Sequence, residues 1–396
     1  MMNTKSKILF VQEVFGHLSE VFLYRMLSGM HDMDVQVLTG GYINKESFPF
    51  DNTKIIIWEK IEITFPKKIF AVLHKIFKPK GSHMAETDDV IRQINRSEAD
   101  LICFQFASLP VLFGQEIEKR EKKCCVIHHG SDINLAVVHK KYRKRLQILW
   151  AKMDQIIFIS HFLMKTALTL GCPKEKAIVI YLGVPILPNN ILLKHLQEKK
   201  DSIRFICIAR IAPVKNHVTL INAFAKFVKA TDKEVELVLI GTGELENKIQ
   251  QKIQSLHMDK YIKLLGGLNN DKVLTEISSS DCVILISNRY TDNGKINQEE
   301  GLGLSLLEGG SMGLPMIGSR SGGIPEIVHD NINGYLVDPL DIEEIKNAMI
   351  KIVKNPIKNK SMGENAKEMV ETEFNLDIQS KKYQSMFMML IHNDNR

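Results

Sequence analysis

The sequence predicts an α/β chain folded as two Rossmann-like domains. Short β-rich apolar runs alternate with helical patterns from one end to the other, which marks parallel strands joined by crossover helices. The runs fall into two series separated by one polar stretch. Most read as nearly continuous apolar segments, the pattern of strands covered on both faces. A length of 396 residues suits two domains, each with its own core.

The first series of strand candidates comprises Ile8–Val11, Val35–Leu38, Ile55–Trp58, Leu101–Phe104, Cys125–His128 and Gln155–Ser160. The segment Asn189–Ser202 is charged and polar and reads as the linker. The second series comprises Arg204–Ile208, Val235–Ile240, Tyr261–Leu264, Cys282–Ile286, Pro315–Ile317 and Gly334–Val337. The expected domains are therefore 1–190 and 200–375. Near the C-terminus, Asn375 or Asp377 caps a helix over 376–396 that carries Tyr383, Met386, Phe387 and Leu390 on one face. That apolar face must dock, either back on the first domain or as a closing helix on the second.

Composition narrows the function. Apolar content is 44 % and charged content 25 %, ordinary for a water-soluble globular protein. The opening run Ile8–Val11 is ended at once by Gln12 and Glu13, so it reads as a buried strand rather than a signal peptide. No apolar run reaches the roughly 18 residues of a membrane span. The six cysteines follow no metal-ligand spacing, which points to buried thiols in a reducing, cytoplasmic compartment and to no structural metal. Residues 1–190 hold 26 Lys and Arg against 19 Asp and Glu, a net of +7, and the remainder carries −1. Basic clusters such as Lys140-Lys141 with Arg143-Lys144-Arg145 are either solvated helix faces or an attraction to an anionic membrane or polyphosphate. Nucleic acid is not expected, because no cluster is interleaved with stacking aromatics. Residues Lys67–Lys78 alternate lysines with Ile69, Phe70, Val72, Leu73, Ile76 and Phe77, either an ordinary surface helix or an amphipathic one lying on a membrane.

The chemistry gathers behind the strands of the second series. In Glu300-Gly301-Leu302-Gly303-Leu304-Ser305-Leu306-Leu307-Glu308, two carboxylates stand eight positions apart around a glycine turn. A helix is expected to start near Gly303. Its first amides lack partners and its dipole is positive, so it can seat an anion, with Glu308 about one and a half turns further on. Arg210 and Lys215 follow the first strand of the second domain in a Pro-bent loop, and carboxyl ends of parallel strands are where ligands bind. The guanidinium is a fork and the ammonium a point charge, a pair able to grip a diphosphate. Gly241 and Gly243 form a G-x-G turn after another strand, Gly266 ends a third, and Ser321-Gly322-Gly323 makes a further turn. In the first domain, His128-His129-Gly130-Ser131-Asp132 follows a strand end, and Gly16 lies in the loop after the first strand. Read singly, each of these segments also has an ordinary reading as a turn or solvated loop.

In combination and in this order, they resemble the retaining glycosyltransferases of family 4, which have the GT-B architecture of two Rossmann-like domains facing a central cleft. The resemblance spans nearly the whole chain and is densest from Arg204 to Asp338. Leu18-Ser19-Glu20-Val21-Phe22 and the long loop Asn288–Glu299 look like the branch that builds colanic-acid-type surface polysaccharides. The resemblance implies an acceptor-binding first domain and a nucleotide-sugar-binding second domain. Arg210 and Lys215 would hold the donor diphosphate, Glu308 the ribose, Glu300 the donor sugar, and the amides of Leu302, Gly303 and Leu304 the phosphate. His129 would contact the donor sugar, Asp132 would support its loop, and Gly16 would line the cleft. Gly241, Gly243 and Gly266 would border the nucleotide. It further implies a UDP- or GDP-linked donor, no metal or other cofactor, and a saccharide acceptor for which an undecaprenyl-linked oligosaccharide would explain the basic half. The protein would then sit on the inner face of the cytoplasmic membrane. Two departures stand out: Glu308-Gly309-Gly310-Ser311 replaces the usual Glu-Ala-Met-Ala, and the first loop has one glycine where many members have two. A GT-B epimerase and a non-catalytic nucleotide-sugar-binding subunit are the competing readings.

Overall fold

A computed structural model of the chain describes residues 5–17, 20–57, 87–113, 120–186, 202–294 and 296–392. The basic stretch Lys67–Lys78, the dipeptide Leu18-Ser19 and nearly all of the expected linker lie outside these residues. The chain divides into two compact units. One takes the described residues within Met1–Phe158, Met164–Ile180 and Gln379–Arg396; the other takes Ile159–Leu163 and those within Tyr181–Ile378.

The first unit is built on seven parallel strands: β1 (Lys7–Gln12), β2 (Asp34–Thr39), β3 (Ile55–Ile57), β4 (Leu101–Gln105), β5 (Lys123–His128), β6 (Gln155–Phe158) and β7 (Ala177–Val179). Their order is β3-β2-β1-β4-β5-β6-β7, so the chain reverses direction across the sheet at β1 and β4. Such switch points are where open α/β sheets bind ligands. Apart from Lys7 and Lys123 at their starts, the central strands β1, β4 and β5 are buried, as near-continuous apolar runs require. β7 was not expected; it is three residues long and sits at the edge of the sheet. The last helix, Leu376–His392, contributes its residues from Gln379 onward to this unit. Asn375 caps it, its Oδ1 accepting from the Ile378 amide at 2.8 Å. Tyr383, Met386 and Phe387 are buried, and Phe387 meets Phe10 of β1 edge to face at 5.9 Å.

The second unit has six parallel strands: β8 (Ser202–Ile208), β9 (Glu234–Ile240), β10 (Ile262–Leu264), β11 (Cys282–Leu285), β14 (Met316–Ser319) and β15 (Gly334–Val337). Their order is β10-β9-β8-β11-β14-β15, with the switch between β8 and β11. The stretch expected as a long loop before Glu300 is instead an antiparallel hairpin, β12 (Tyr290–Asp292) and β13 (Ile296–Gln298). In the connection between Asp292 and Ile296, Asn293 and Gly294 have φ of 46° and 70°, left-handed positions that asparagine and glycine tolerate best. Within this unit Glu326 accepts hydrogen bonds from the amides of His161 (2.9 Å) and Phe162 (2.6 Å) and from the Tyr181 hydroxyl (2.9 Å), which ties in the segment Ile159–Leu163. All six cysteines are buried free thiols.

Candidate active site

The second unit's site sits at the carboxyl ends of β8, β9 and β11. β8 runs out into Ala209-Arg210, and the chain then makes a short 3-10 turn, Pro213–Lys215, closed by Asn216 at a left-handed φ of 54°. Asn216 fastens that loop by donating from Nδ2 to the Pro339 carbonyl at 2.8 Å. The turn aims Lys215 inward, and its ammonium donates to a Glu300 carboxylate oxygen. The Ser287 hydroxyl, just past β11, donates to the same oxygen at 2.7 Å. Ser319, at the end of β14, in turn donates to the Ser287 carbonyl at 2.5 Å. Burial pushes the Glu300 carboxyl up. The charge and hydrogen bond of Lys215, the Ser287 hydroxyl and the charge of Arg210 outweigh it and hold the group below the usual glutamate value. Glu300 is thus a fixed carboxylate and not a proton donor near neutral pH. Arg210 stands exposed at the mouth of this arrangement.

Glycines hold the Glu300 backbone. A side chain at Gly322 would meet the Glu300 carbonyl at 2.2 Å, and one at Gly323 the Gly301 carbonyl at 2.2 Å. The Gly323 amide donates to the Glu300 carbonyl at 3.0 Å. Past Leu302, which is buried, Gly303 takes a φ of 101° and opens the helix Leu304–Ser311. Glu308 lies half-buried on that helix. The same close approach places Gly241 against the Ala209 carbonyl and Gly243 against Ile211. Gly266 receives the Gly241 amide at its carbonyl at 2.8 Å, and space beside its Cα is open. The structure therefore brings Arg210, Lys215 and Glu300 together, with Gly241 and Gly243 packed under the same loop.

In the first unit the two adjacent histidines have different surroundings. His128 is fully buried; Nδ1 bonds Asp132 at 2.6 Å and Nε2 accepts from the Trp150 indole at 2.9 Å. Those two partners fix it with the proton on Nδ1, as a structural group. Asp132 also accepts from the amides of Ala107 (3.0 Å) and Ile133 (2.9 Å), so it organises the loop. Burial pushes the Asp132 carboxyl up, but His128, the Ala107 amide and His129 bring it below its usual value. His129 bonds Gln105 through Nε2 at 2.9 Å, and its Nδ1 is buried without a partner among the described residues. Burial lowers its pKa to about 3, Asp132 opposing and His128 assisting. The ring is therefore neutral at physiological pH. Gly16 occupies a separate loop with φ of 85°, hard against the Ile43 carbonyl, and its own carbonyl accepts from Asn44 at 2.9 Å.

Sequence reasoning missed Ser287, Ser319, Gln105 and Ser108. The first three are polar residues at the carboxyl end of an apolar strand run, a position that signals a site more reliably than the residue type does. Among the described residues no group of three or more His, Cys, Asp or Glu is placed to hold a metal ion, and no helix is long and apolar enough to cross a membrane.

Comparison with known proteins gives the family and the fold. The chain is 25 % identical over 278 residues to the amylovoran biosynthesis glycosyltransferase AmsK of Erwinia amylovora, covering 70 % of this chain and 67 % of that one. It is 25 % identical over 279 residues to the N-acetyl-alpha-D-glucosaminyl L-malate synthase of Bacillus anthracis, covering 67 % and 68 %. Among solved structures, Anabaena HepE in complex with UDP and glucose superposes with a TM-score of 0.73 at 17 % identity, over 97 % of this chain and 99 % of that one. The family model of Glycosyltransferase Family 4 matches residues 19–186 and that of Glycosyl transferases group 1 matches residues 190–369. With those two domains in succession and two parallel-sheet units of GT-B type, the chain belongs to the family 4 glycosyltransferases.

Proposed function

We propose that this glycosyltransferase moves a hexosyl unit from a UDP- or GDP-linked donor to the saccharide acceptor of a bacterial surface polysaccharide, with retention of anomeric configuration. The observation that carries the reading is the Lys215–Glu300–Ser287 arrangement at the switch point of the second sheet, with Arg210 beside it. Breaking a sugar–phosphate bond leaves negative charge on the diphosphate and positive charge on the anomeric carbon. Arg210, Lys215 and the amides opening the helix Leu304–Ser311 answer the first; the Glu300 carboxylate answers the second. Fixed charges of this kind lower a barrier by several kcal/mol without reorganising during the step, so the site residues supply the leaving-group stabilisation and the reading calls for no metal.

In the proposed step the bond from C1 to the donor phosphate oxygen breaks and a bond from C1 to the acceptor oxygen forms on the same face. The acceptor proton goes to the departing phosphate. Glu300 is tied up by an ammonium and a hydroxyl, which favours an electrostatic role over nucleophilic attack. His129, neutral and with Nδ1 lacking a partner among the described residues, fits contact with a sugar hydroxyl. Gly266, Glu308 and Gly16 are carried in this reading as nucleotide, ribose and cleft contacts. The AmsK relative supports the polysaccharide assignment, and the UDP and glucose bound to HepE support the donor class. The excess charge of residues 1–190 supports an acceptor presented at an anionic membrane, for which an undecaprenyl-linked oligosaccharide is suited.

The test is a panel of UDP-, GDP- and other nucleotide sugars, read by thermal shift and by slow release of nucleotide without added metal. The expected result is one donor that shifts the melting temperature and whose nucleotide release disappears in Lys215→Ala. A chain that neither shifts nor releases nucleotide with any donor overturns the reading. Donor turnover with no acceptor, giving an epimerised sugar nucleotide, replaces it with the epimerase.

A further inference from the structure

The end of β4 and the turn after it reach the His129–Asp132 loop with three consecutive residues, Gln105, Phe106 and Ala107. Gln105 Oε1 lies 2.9 Å from His129 Nε2. The Phe106 ring stands 4.6 Å from the imidazole, and Phe22 packs on it at 4.9 Å. The Ala107 amide donates to Asp132 at 3.0 Å. The Ser108 hydroxyl bonds the half-buried Glu13 carboxyl just past β1. Phe106 itself has a φ of 64°, a left-handed backbone that a bulky side chain adopts only when its surroundings hold it there. They do: its amide donates to the Ile127 carbonyl of β5 at 3.0 Å, and the next amide is the one taken by Asp132. Strain of this kind at the end of a central strand signals a position shaped for a site.

The hydrogen-bond inventory sharpens the point. A neutral imidazole has one donor and one acceptor nitrogen. Gln105 Oε1 only accepts, so opposite it Nε2 carries the proton and Nδ1 is bare. Nδ1 is buried and has no partner among the described residues, and neither has Gln105 Nε2. Buried polar atoms left open in this way are rare unless a ligand completes them. Asp132 does not turn the ring, because its described hydrogen bonds go to His128, Ala107 and Ile133 and none to His129.

We propose that Gln105 is a positioning residue for His129: it fixes the ring with the proton on Nε2 and offers Nδ1 as the acceptor for a ligand hydroxyl, while the strained turn Gln105–Ser108 holds the amide in place. The two neighbouring imidazoles are then locked in opposite tautomers, His128 by Asp132 and Trp150, His129 by Gln105. The catalytic side of the inference rests on the proposed contact of His129 with the donor sugar; the tautomer side does not.

The experiment reads the two ring nitrogens by long-range proton–nitrogen correlation NMR on the ¹⁵N-histidine-labelled full chain at pH 7.5, with His129→Asn and His128→Asn giving the assignments. The unsubstituted protein is expected to show His129 wholly as the Nε2–H form. Gln105→Leu should give a mixture of both tautomers, and Gln105→Glu, which keeps an acceptor at that place, should restore Nε2–H. With the donor identified, Gln105→Leu should raise its KM roughly tenfold with a smaller change in kcat. His128 serves as the internal control for folding, since it stays Nδ1–H in any variant whose site is intact. An Nδ1–H form of His129 in the unsubstituted protein, or a pure Nε2–H form in Gln105→Leu with His128 unchanged, overturns the proposal. Because the tautomers are read without turnover, a protein that transfers no sugar would still confirm or refute the positioning role.

Discussion

At the residue scale the site is a set of charges held in tension. Glu300 keeps its charge because Lys215 and Ser287 share one of its oxygens. Removing Lys215 takes away both the cation for the diphosphate and the partner of a buried carboxylate. Lys215→Ala is expected to lower donor-dependent turnover by about 10²–10³-fold, and Glu300→Gln comparably, the range seen when one preorganised group is removed. Steady-state rates at saturating donor decide it, and a Glu300→Gln protein that keeps most of its turnover ends both electrostatic and nucleophilic roles for that group. His217 offers a test of a different kind. It is buried, neither ring nitrogen has a partner among the described residues, and burial with Lys215 nearby lowers its pKa to about 4. The unfolded chain therefore binds a proton near pH 6.5 that the folded chain refuses until about pH 4. Its contribution to stability is complete above pH 6.5 and is lost as pH falls toward 4. His217→Leu should flatten the pH dependence of the denaturation midpoint in that window, by up to about 1.4 kcal/mol per pH unit. At this scale the sequence showed the types of residue but not their pairing. Arg210, Lys215 and Glu300 were legible as charges behind strands; that Lys215 and Glu300 bond each other, through a serine no motif singles out, depends on two loops 85 residues apart meeting in space.

At the element scale, the helix Leu304–Ser311 shows why a local preference gives way to packing. Two glycines inside it cost about 1 kcal/mol each relative to alanine. A side chain at Gly309 would meet Val283 of β11 at 2.4 Å, whereas one at Gly310 would find nothing nearer than 3.4 Å. Gly309→Ala is therefore expected to destabilise by about 1–3 kcal/mol through overpacking, while Gly310→Ala should be neutral or slightly stabilising. Denaturant midpoints of the two variants separate these outcomes. Elements were the most legible level of this chain. Each of the twelve expected strand segments overlaps a strand, most of them because a buried parallel strand announces itself by continuous apolar sequence; the edge strand β3, with Ile56 and Ile57 exposed, shows itself only by its run of isoleucines. What stayed hidden follows from the same physics. β7 is three half-buried residues at a sheet edge, too short to form a pattern. The hairpin before Glu300 has mostly half-buried or exposed residues, so no apolar run marks it, although Asn293-Gly294 is its turn signal.

At the scale of the molecule, the helix Leu376–His392 belongs to the first unit from Gln379 onward although it follows the second in sequence. Phe387 is fully buried, so Phe387→Ala is expected to cost about 3–5 kcal/mol and to lower the unfolding transition of the first unit; limited proteolysis at rising temperature should show that unit cut first. The charge distribution makes a second prediction. With +7 on residues 1–190, the protein should float with vesicles containing anionic lipid and should be released as salt shortens the screening length to a few ångströms. Flotation that ignores lipid charge removes the membrane from the proposal. The whole-molecule division into two α/β domains was legible from the two series of strands. The docking of the last helix was not, because an amphipathic face says that it must be covered and not by what.

That returning helix also has a temporal consequence. A chain is made from its N-terminus, and domains ordinarily fold as they leave the ribosome, first one and then the next. Here Phe10 waits for Phe387. The unit synthesised first cannot bury that face of its central strand until the chain has emerged as far as Phe387, whereas the second unit, whose last residue is Ile378, can finish ahead of it. Folding order is thus expected to run against translation order, and a product stalled before Phe387 should expose an uncovered apolar sheet face to chaperones.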